Sequence, residues 1–262
     1  MNVYQVGPVG AVITGIDLRF PEKIPVNEIK EAFLNYSVLI FKNQELDPAG
    51  LRNVSLIWGE PLIHPVFKGI EDYPEIIQIQ NLGEKYHTNA HWHSDVTFEV
   101  EPPDATLLYA IEIPDQGGDT LFSNQYLAYE GLPNALKENL ESKLAVHSNL
   151  GVVILSGGDA KDAKEVDHPV VRTHPVTKRK LLYVNRLFTH KINGLENQES
   201  KKILAYLCDH IQKDKYVCRF AWQKDSIAFW DNRSVLHKPD NTYWPQLRRM
   251  ERITIDDTTR PY

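Results

Sequence analysis

The feature that most constrains this chain is its succession of short runs rich in β-branched and aromatic residues, each closed by turn residues. "GAVITGIDL", "YSVLIFKNQ", "EIIQIQNLG", "ATLLYAIEIP", "VCRFAWQKDSIAFWDN" and "RRMERITID" all read as strands. "HPVVRTHPVTKRKLLYVN" reads as a hairpin, and "LSGGDAKDAKEVDH", glycine plus charge, as a loop. Helical spacing is confined to a few segments. "PVNEIKEAFLNY" has apolar positions at Ile29, Ala32 and Phe33, and "NQESKKILAYLCDHIQ" is a further helix. "DPAGLRNVSLIWG" predicts a short helix with Asp47 as N-cap, Pro48 in its first turn and Gly59 past its end. "NQYLAYEGLPNALKENLESK" is helical but broken at Gly-Leu-Pro. Many short strands with few helices favour a sandwich or barrel, mainly β with peripheral helices, such as a cupin-like jelly roll. No glycine-rich phosphate loop opens a helix after the first strand, so a nucleotide fold has little support.

At 262 residues such a fold can be one unit, and a single domain over 1–262 is expected. The net charge of −6 argues against a nucleic-acid partner. Any anion must therefore be gripped by a local cationic pocket. The N-terminus lacks a signal-peptide pattern, and no apolar run approaches membrane-spanning length. Cys208 and Cys218 are the only cysteines and have no framework spacing. A soluble cytoplasmic protein without membrane attachment is the expectation.

Chemistry enters with "HWHSDVTFE", in a run that otherwise reads as strand. His91, His93 and Asp95 alternate, so in an extended chain they would share a face. Two histidines and one carboxylate on one side of an ion are the ligand set of non-haem Fe(II) oxygenases. His237 in "AFWDNRSVLHKP" is the best third ligand, on a strand-edge loop. Spacing leaves alternatives open: H-x-D also arises by chance, the chain has ten histidines, and His91 rivals His93. Asp231, Asn232 and Arg233 read as turn residues holding His237. Arg248 and Arg252 share one face of a strand, and buried guanidinium groups need anions. An exposed edge strand decorated with charge answers the same pattern.

Three stretches together, "HWHSDVTFEVEPPDATLLYAIEIPDQGGDTLFSN", "HPVVRTHPVTKRKLLYVNRLFTHKI" and "IAFWDNRSVLHKPDNTYWPQLRRMERITI", resemble the taurine dioxygenase family of Fe(II)- and 2-oxoglutarate-dependent oxygenases. The likeness runs almost end to end. It implies a double-stranded β-helix, with His93, Asp95 and His237 as iron ligands and catalytic centre. It implies Thr120 and Arg248 as the grip on 2-oxoglutarate, and O2 as the second cosubstrate. It assigns the substrate pocket to His64, Phe67, Asn89, Val96, Phe188 and Arg252. Phe67 stands where the family's taurine enzyme has a tyrosine, which makes taurine itself doubtful. Asp95, where related halogenases have a small residue, implies oxygenation. The implied reaction hydroxylates a small anionic organic substrate (a sulfonate, sulfate ester or aryloxy acid), releasing succinate and CO2. The same chemistry on an amino acid or another carboxylic acid, ending in hydroxylation or desaturation, is the alternative. A non-catalytic cupin-like binding protein is the third reading. Family habit implies a dimer or tetramer.

Overall fold

Residues 1–64, 67–81, 91–256 and 260–262 are described in this computed structural model. Its largest sheet has eight strands. Seven run in the order Asn2–Gln5, Ala11–Thr14, Val38–Phe41, Ile227–Asp231, Ala105–Glu112, Arg248–Ile255 and Pro61–Leu62. The eighth, Ile76–Asn81, also pairs with Arg248–Ile255. Ala11–Thr14 and Val38–Phe41 are parallel, a pairing that needs a crossover. The helix Val26–Tyr36 supplies it.

Val38–Phe41 is apolar along its whole length, and Ile227–Asp231 and Ala105–Glu112 are mostly so, because both faces are covered. On one face Ile29, Ala32 and Phe33 of that helix and Leu51 and Val54 of the helix Pro48–Ser55 meet Leu39, Leu107, Phe229 and Ile253. Phe33 stacks on Phe229 with centroids 4.4 Å apart, so Phe229→Ala should cost about 3–5 kcal/mol. On the other face Ile40, Leu108, Trp230 and Met250 meet Phe122, Phe220 and Val235. Those three belong to a smaller antiparallel sheet ordered Val217–Phe220, Thr120–Asn124, Val235–Pro239. Two facing sheets with helices outside are the expected jelly-roll layering, although neither sheet closes on itself among the described residues.

Local signals decide most element ends. Asp47 accepts from the backbone N–H of Gly50 at 2.7 Å, capping its helix. At Gly59 a Cβ would come within 2.9 Å of Ile255 Cγ2, so only glycine fits between that helix and the sheet. Gly-Leu-Pro separates the helices Gln125–Glu130 and Asn134–Leu140, and Val171–Thr173 pairs with Lys180–Leu182 as a hairpin. Two expectations fail. The loop "LSGGDAKDAKEVDH" ends early, because Glu165–Pro169 pairs with Leu144–Ser148 and buries His168. "HWHSDVTFE" is not a strand either: it makes one isolated bridge, at His93, and then turns.

Candidate active site

The bridge assembles the two histidines. His93 N–H donates to His237 O at 3.0 Å and His237 N–H to His93 O at 2.8 Å, so the imidazoles lie 4.2 Å apart. His237 does not sit on a strand-edge loop. It lies inside the strand Val235–Pro239, opposite Phe122, and is held by sheet pairing. Asp95 reaches the site because the chain turns after His93. Ser94 Oγ donates to Asn232 O at 2.6 Å, Val96 takes φ +52°, and Glu99 N–H donates back to Val96 O at 3.0 Å. Asp95 Oδ1 then lies 3.9 Å from His93 Nε2 and 3.8 Å from His237 Nε2. His91 is exposed; its ring is not in the cluster, and only its carbonyl serves the site.

That carbonyl lies 2.8 Å from His93 Nδ1, so the ring proton sits there and the Nε2 lone pair faces inward. Asp95 Oδ2 accepts from the Thr106 hydroxyl at 2.7 Å, and Thr106 Oγ accepts from Asn232 Nδ2 at 2.8 Å. Asn232 Oδ1 in turn accepts from Trp230 Nε1 at 2.9 Å. Oδ1 of Asp95 therefore remains for an ion. Asn232 thus braces Asp95, where the sequence had it holding His237. Asp231 is engaged elsewhere, with His174 at 3.0 Å and with Arg233.

Protonation states suit a cation. Burial raises the Asp95 pKa, but Arg252, His237, His93 and the Thr106 hydroxyl outweigh it and hold the carboxyl well below the usual range. Burial lowers His93 and pushes His237 down to about 3. Two neutral imidazoles and a carboxylate, all buried and with ligand atoms within 4.8 Å of one another, fit an Fe(II) centre.

Thr120 opens the strand Thr120–Asn124, and its Oγ accepts from Trp222 Nε1 at 3.0 Å, which leaves its own proton to donate. Arg248 is buried, and its Nε donates to Gly118 O at 3.1 Å. Gly118 (φ +73°) must be glycine, since a Cβ would press on Arg248 Cδ at 3.2 Å. The acid next in sequence, Asp119, pairs instead with Arg219 at 3.0 Å. Four residues on, Arg252 Nη1 lies 3.5 Å from Asp95 Oδ1, and its buried Nε has no hydrogen-bond partner among the described residues. The inward-facing alternative for this strand therefore holds.

His64 Nδ1 accepts from Phe67 N–H at 3.1 Å, which puts the ring proton on Nε2. Burial, then Arg252, pushes its pKa down to about 4. Phe67 packs its ring 4.8 Å from His64 but is half exposed. Phe188 turns its edge to His93 at 6.5 Å, with Val96 in the same apolar group. Asn89 lies outside the described residues. Sequence reasoning missed Thr106, Trp222 and Trp230, which resemble ordinary strand residues; only their hydrogen bonds give them away.

Comparison with known proteins follows the same lines. Residues 2–254 match the family described as taurine catabolism dioxygenase TauD, TfdA. The chain belongs to this family. It is 30% identical to the alpha-ketoglutarate-dependent sulfate ester dioxygenase of Pseudomonas putida, over 97% of this chain and 89% of that one. It is 30% identical to the alpha-ketoglutarate-dependent 2,4-dichlorophenoxyacetate dioxygenase of Cupriavidus pinatubonensis, over 94% of each. The crystal structure of a taurine dioxygenase from Burkholderia xenovorans superposes with a TM-score of 0.87 at 31% identity, covering 99% of this chain and 90% of that one. As a TauD-family member, the protein is an oxidoreductase that uses Fe(II), 2-oxoglutarate and O2. No described helix is long and apolar enough to cross a membrane.

Proposed function

We propose that this TauD-family dioxygenase, acting as one catalytic domain over residues 1–262, hydroxylates a small organic anion: a sulfonate, a sulfate ester or an aryloxy acid. His93, Asp95 and His237 would hold Fe(II), which with 2-oxoglutarate and O2 supplies the oxidising chemistry and leaves succinate and CO2. Arg248 donates charge-assisted hydrogen bonds to the far carboxylate of 2-oxoglutarate, with the Thr120 hydroxyl beside it. Arg252 and the His64 Nε2–H hold the substrate's anionic group, so the carbon that reacts is selected by its distance from that anchor. Phe188 and Val96 keep water from the same space.

The observation that carries this reading is Arg252: a largely buried guanidinium, 3.5 Å from a site carboxylate, whose Nε has no hydrogen-bond partner among the described residues. Such a group is costly unless an anion completes it. A turnover screen across sulfonates, alkyl sulfates, aryloxyacetates and free amino acids, scored by succinate release, is the test. Release with the first three classes is expected; release with amino acids alone overturns the reading. A homo-oligomer in the cytoplasm is part of the proposal. Burial pushes the Cys208 thiol up to about 11, which suits an inert thiol.

A further inference from the structure

The helix Leu150–Leu155 reads LGVVIL and buries none of its residues. Leu155 is 88% exposed and Ile154 53%. Exposed apolar side chains grouped in this way form the kind of surface that binds a partner or a ligand. The segment hangs from a closed neck. Asn149 Oδ1 accepts from Lys164 N–H at 2.7 Å, and Lys164 Nζ pairs with Glu99 at 2.5 Å. Glu99 belongs to the turn that carries Asp95, so the neck ties the helix to the metal side of the site. Through Val152 the helix joins Val96, Phe98 and Phe188, with Leu187 beside them. Phe188 in turn presents its edge to His93. Apolar side chains from three separate segments thus meet next to the ligand triad. Of the two acids on that turn, Glu99 pairs with Lys164, and Asp95 gives Oδ2 to Thr106 and Oδ1 to the ion site beside Arg252, so neither is left for an ammonium group.

Resting on Arg252 as the anion anchor, we propose that the substrate's body is aliphatic or aromatic and lies along this wall, and that Val152 sets how much of it fits. The substrate is then an anion at one end and apolar at the other, not a zwitterion.

Calorimetry under nitrogen, with Fe(II) and 2-oxoglutarate present, would compare the n-alkyl sulfates from ethyl to octyl, the matching n-alcohols, and taurine. The proteins are the parent, Val152→Phe and Val152→Ala. Affinity should climb about fourfold per methylene until the wall is covered. The break should move to shorter chains in Val152→Phe and to longer ones in Val152→Ala, and taurine should bind below ethyl sulfate. A flat series in the parent, or one break shared by all three proteins, overturns the proposal. Sulfates binding no better than alcohols, with the length profile kept, leaves the wall standing and removes Arg252 as anchor. Val152 is only half-buried, so both variants should fold, and thermal unfolding checks that they do.

Discussion

Arg248 and Arg252 leave one strand four residues apart and face the same interior, yet their surroundings are built differently. At Arg248 the guanidinium is enclosed, with Nε fixed on Gly118 O and Tyr243 5.8 Å away. At Arg252 it meets Asp95 at 3.5 Å, affects His64, and keeps a buried Nε without a hydrogen-bond partner among the described residues. A fixed clamp suits a cosubstrate that is the same in every turnover. A partly paired one suits a ligand that must arrive and leave.

The strongest way to break this contrast is Asp95→Ala, which removes the carboxylate that faces both histidines and meets Arg252. Fe(II) affinity, measured by equilibrium dialysis, should fall by more than the roughly hundredfold that an outer-sphere change costs, and 2-oxoglutarate decarboxylation should vanish; retained turnover removes Asp95 from the ligand set. Next come the arginines. Each truncation should cost about 2–5 kcal/mol by stranding an anion. Arg248→Ala should raise the 2-oxoglutarate KM far more than the substrate KM, and Arg252→Ala should do the reverse. Equal effects on both constants would erase the distinction. Thr106→Val removes the hydroxyl on Asp95 Oδ2 while keeping the strand; Fe(II) affinity should drop roughly 10–100-fold, and an unchanged value removes Thr106 from the brace.

A further effect concerns the turn that bears Asp95. His147 Nδ1 lies 2.9 Å from Thr97 Oγ, and His168 Nε2 lies 2.9 Å from Glu99 O. Burial pushes the two pKa values down to about 3 and about 4. Both rings stay neutral in the fold, whereas the unfolded chain takes up their protons below the ordinary value of 6.5. Their contribution is therefore complete above that value and is lost as pH falls, by about 1.4 kcal/mol per pH unit for each ring. Urea unfolding at pH 7, 6 and 5 should show this slope. His147→Asn should remove one share of it, and an unaltered slope would exclude that ring.

Much of this was legible beforehand, because it depends on near neighbours. Strand runs, the Asp47 cap and the Gly-Leu-Pro break follow from sterics and hydrogen bonds within a few residues. The candidates His93, Asp95, His237, Arg248 and Arg252 came from side-chain chemistry and family resemblance. Other features were not legible. Alternation placed His91 with the site, but the chain turns after one bridge and leaves it exposed. "WDNR" gave no sign that Asn232 reaches Asp95 through Thr106, since that link joins segments 126 residues apart. The apolar run LGVVIL suggested nothing until its neighbours were known. Sequence by itself determined which groups could bind an ion or an anion. Only tertiary structure decided that they meet, because meeting depends on register. His237 faces His93 through the pairing of Val235–Pro239 with Thr120–Asn124, and a slip of one residue there would turn its ring to the opposite face.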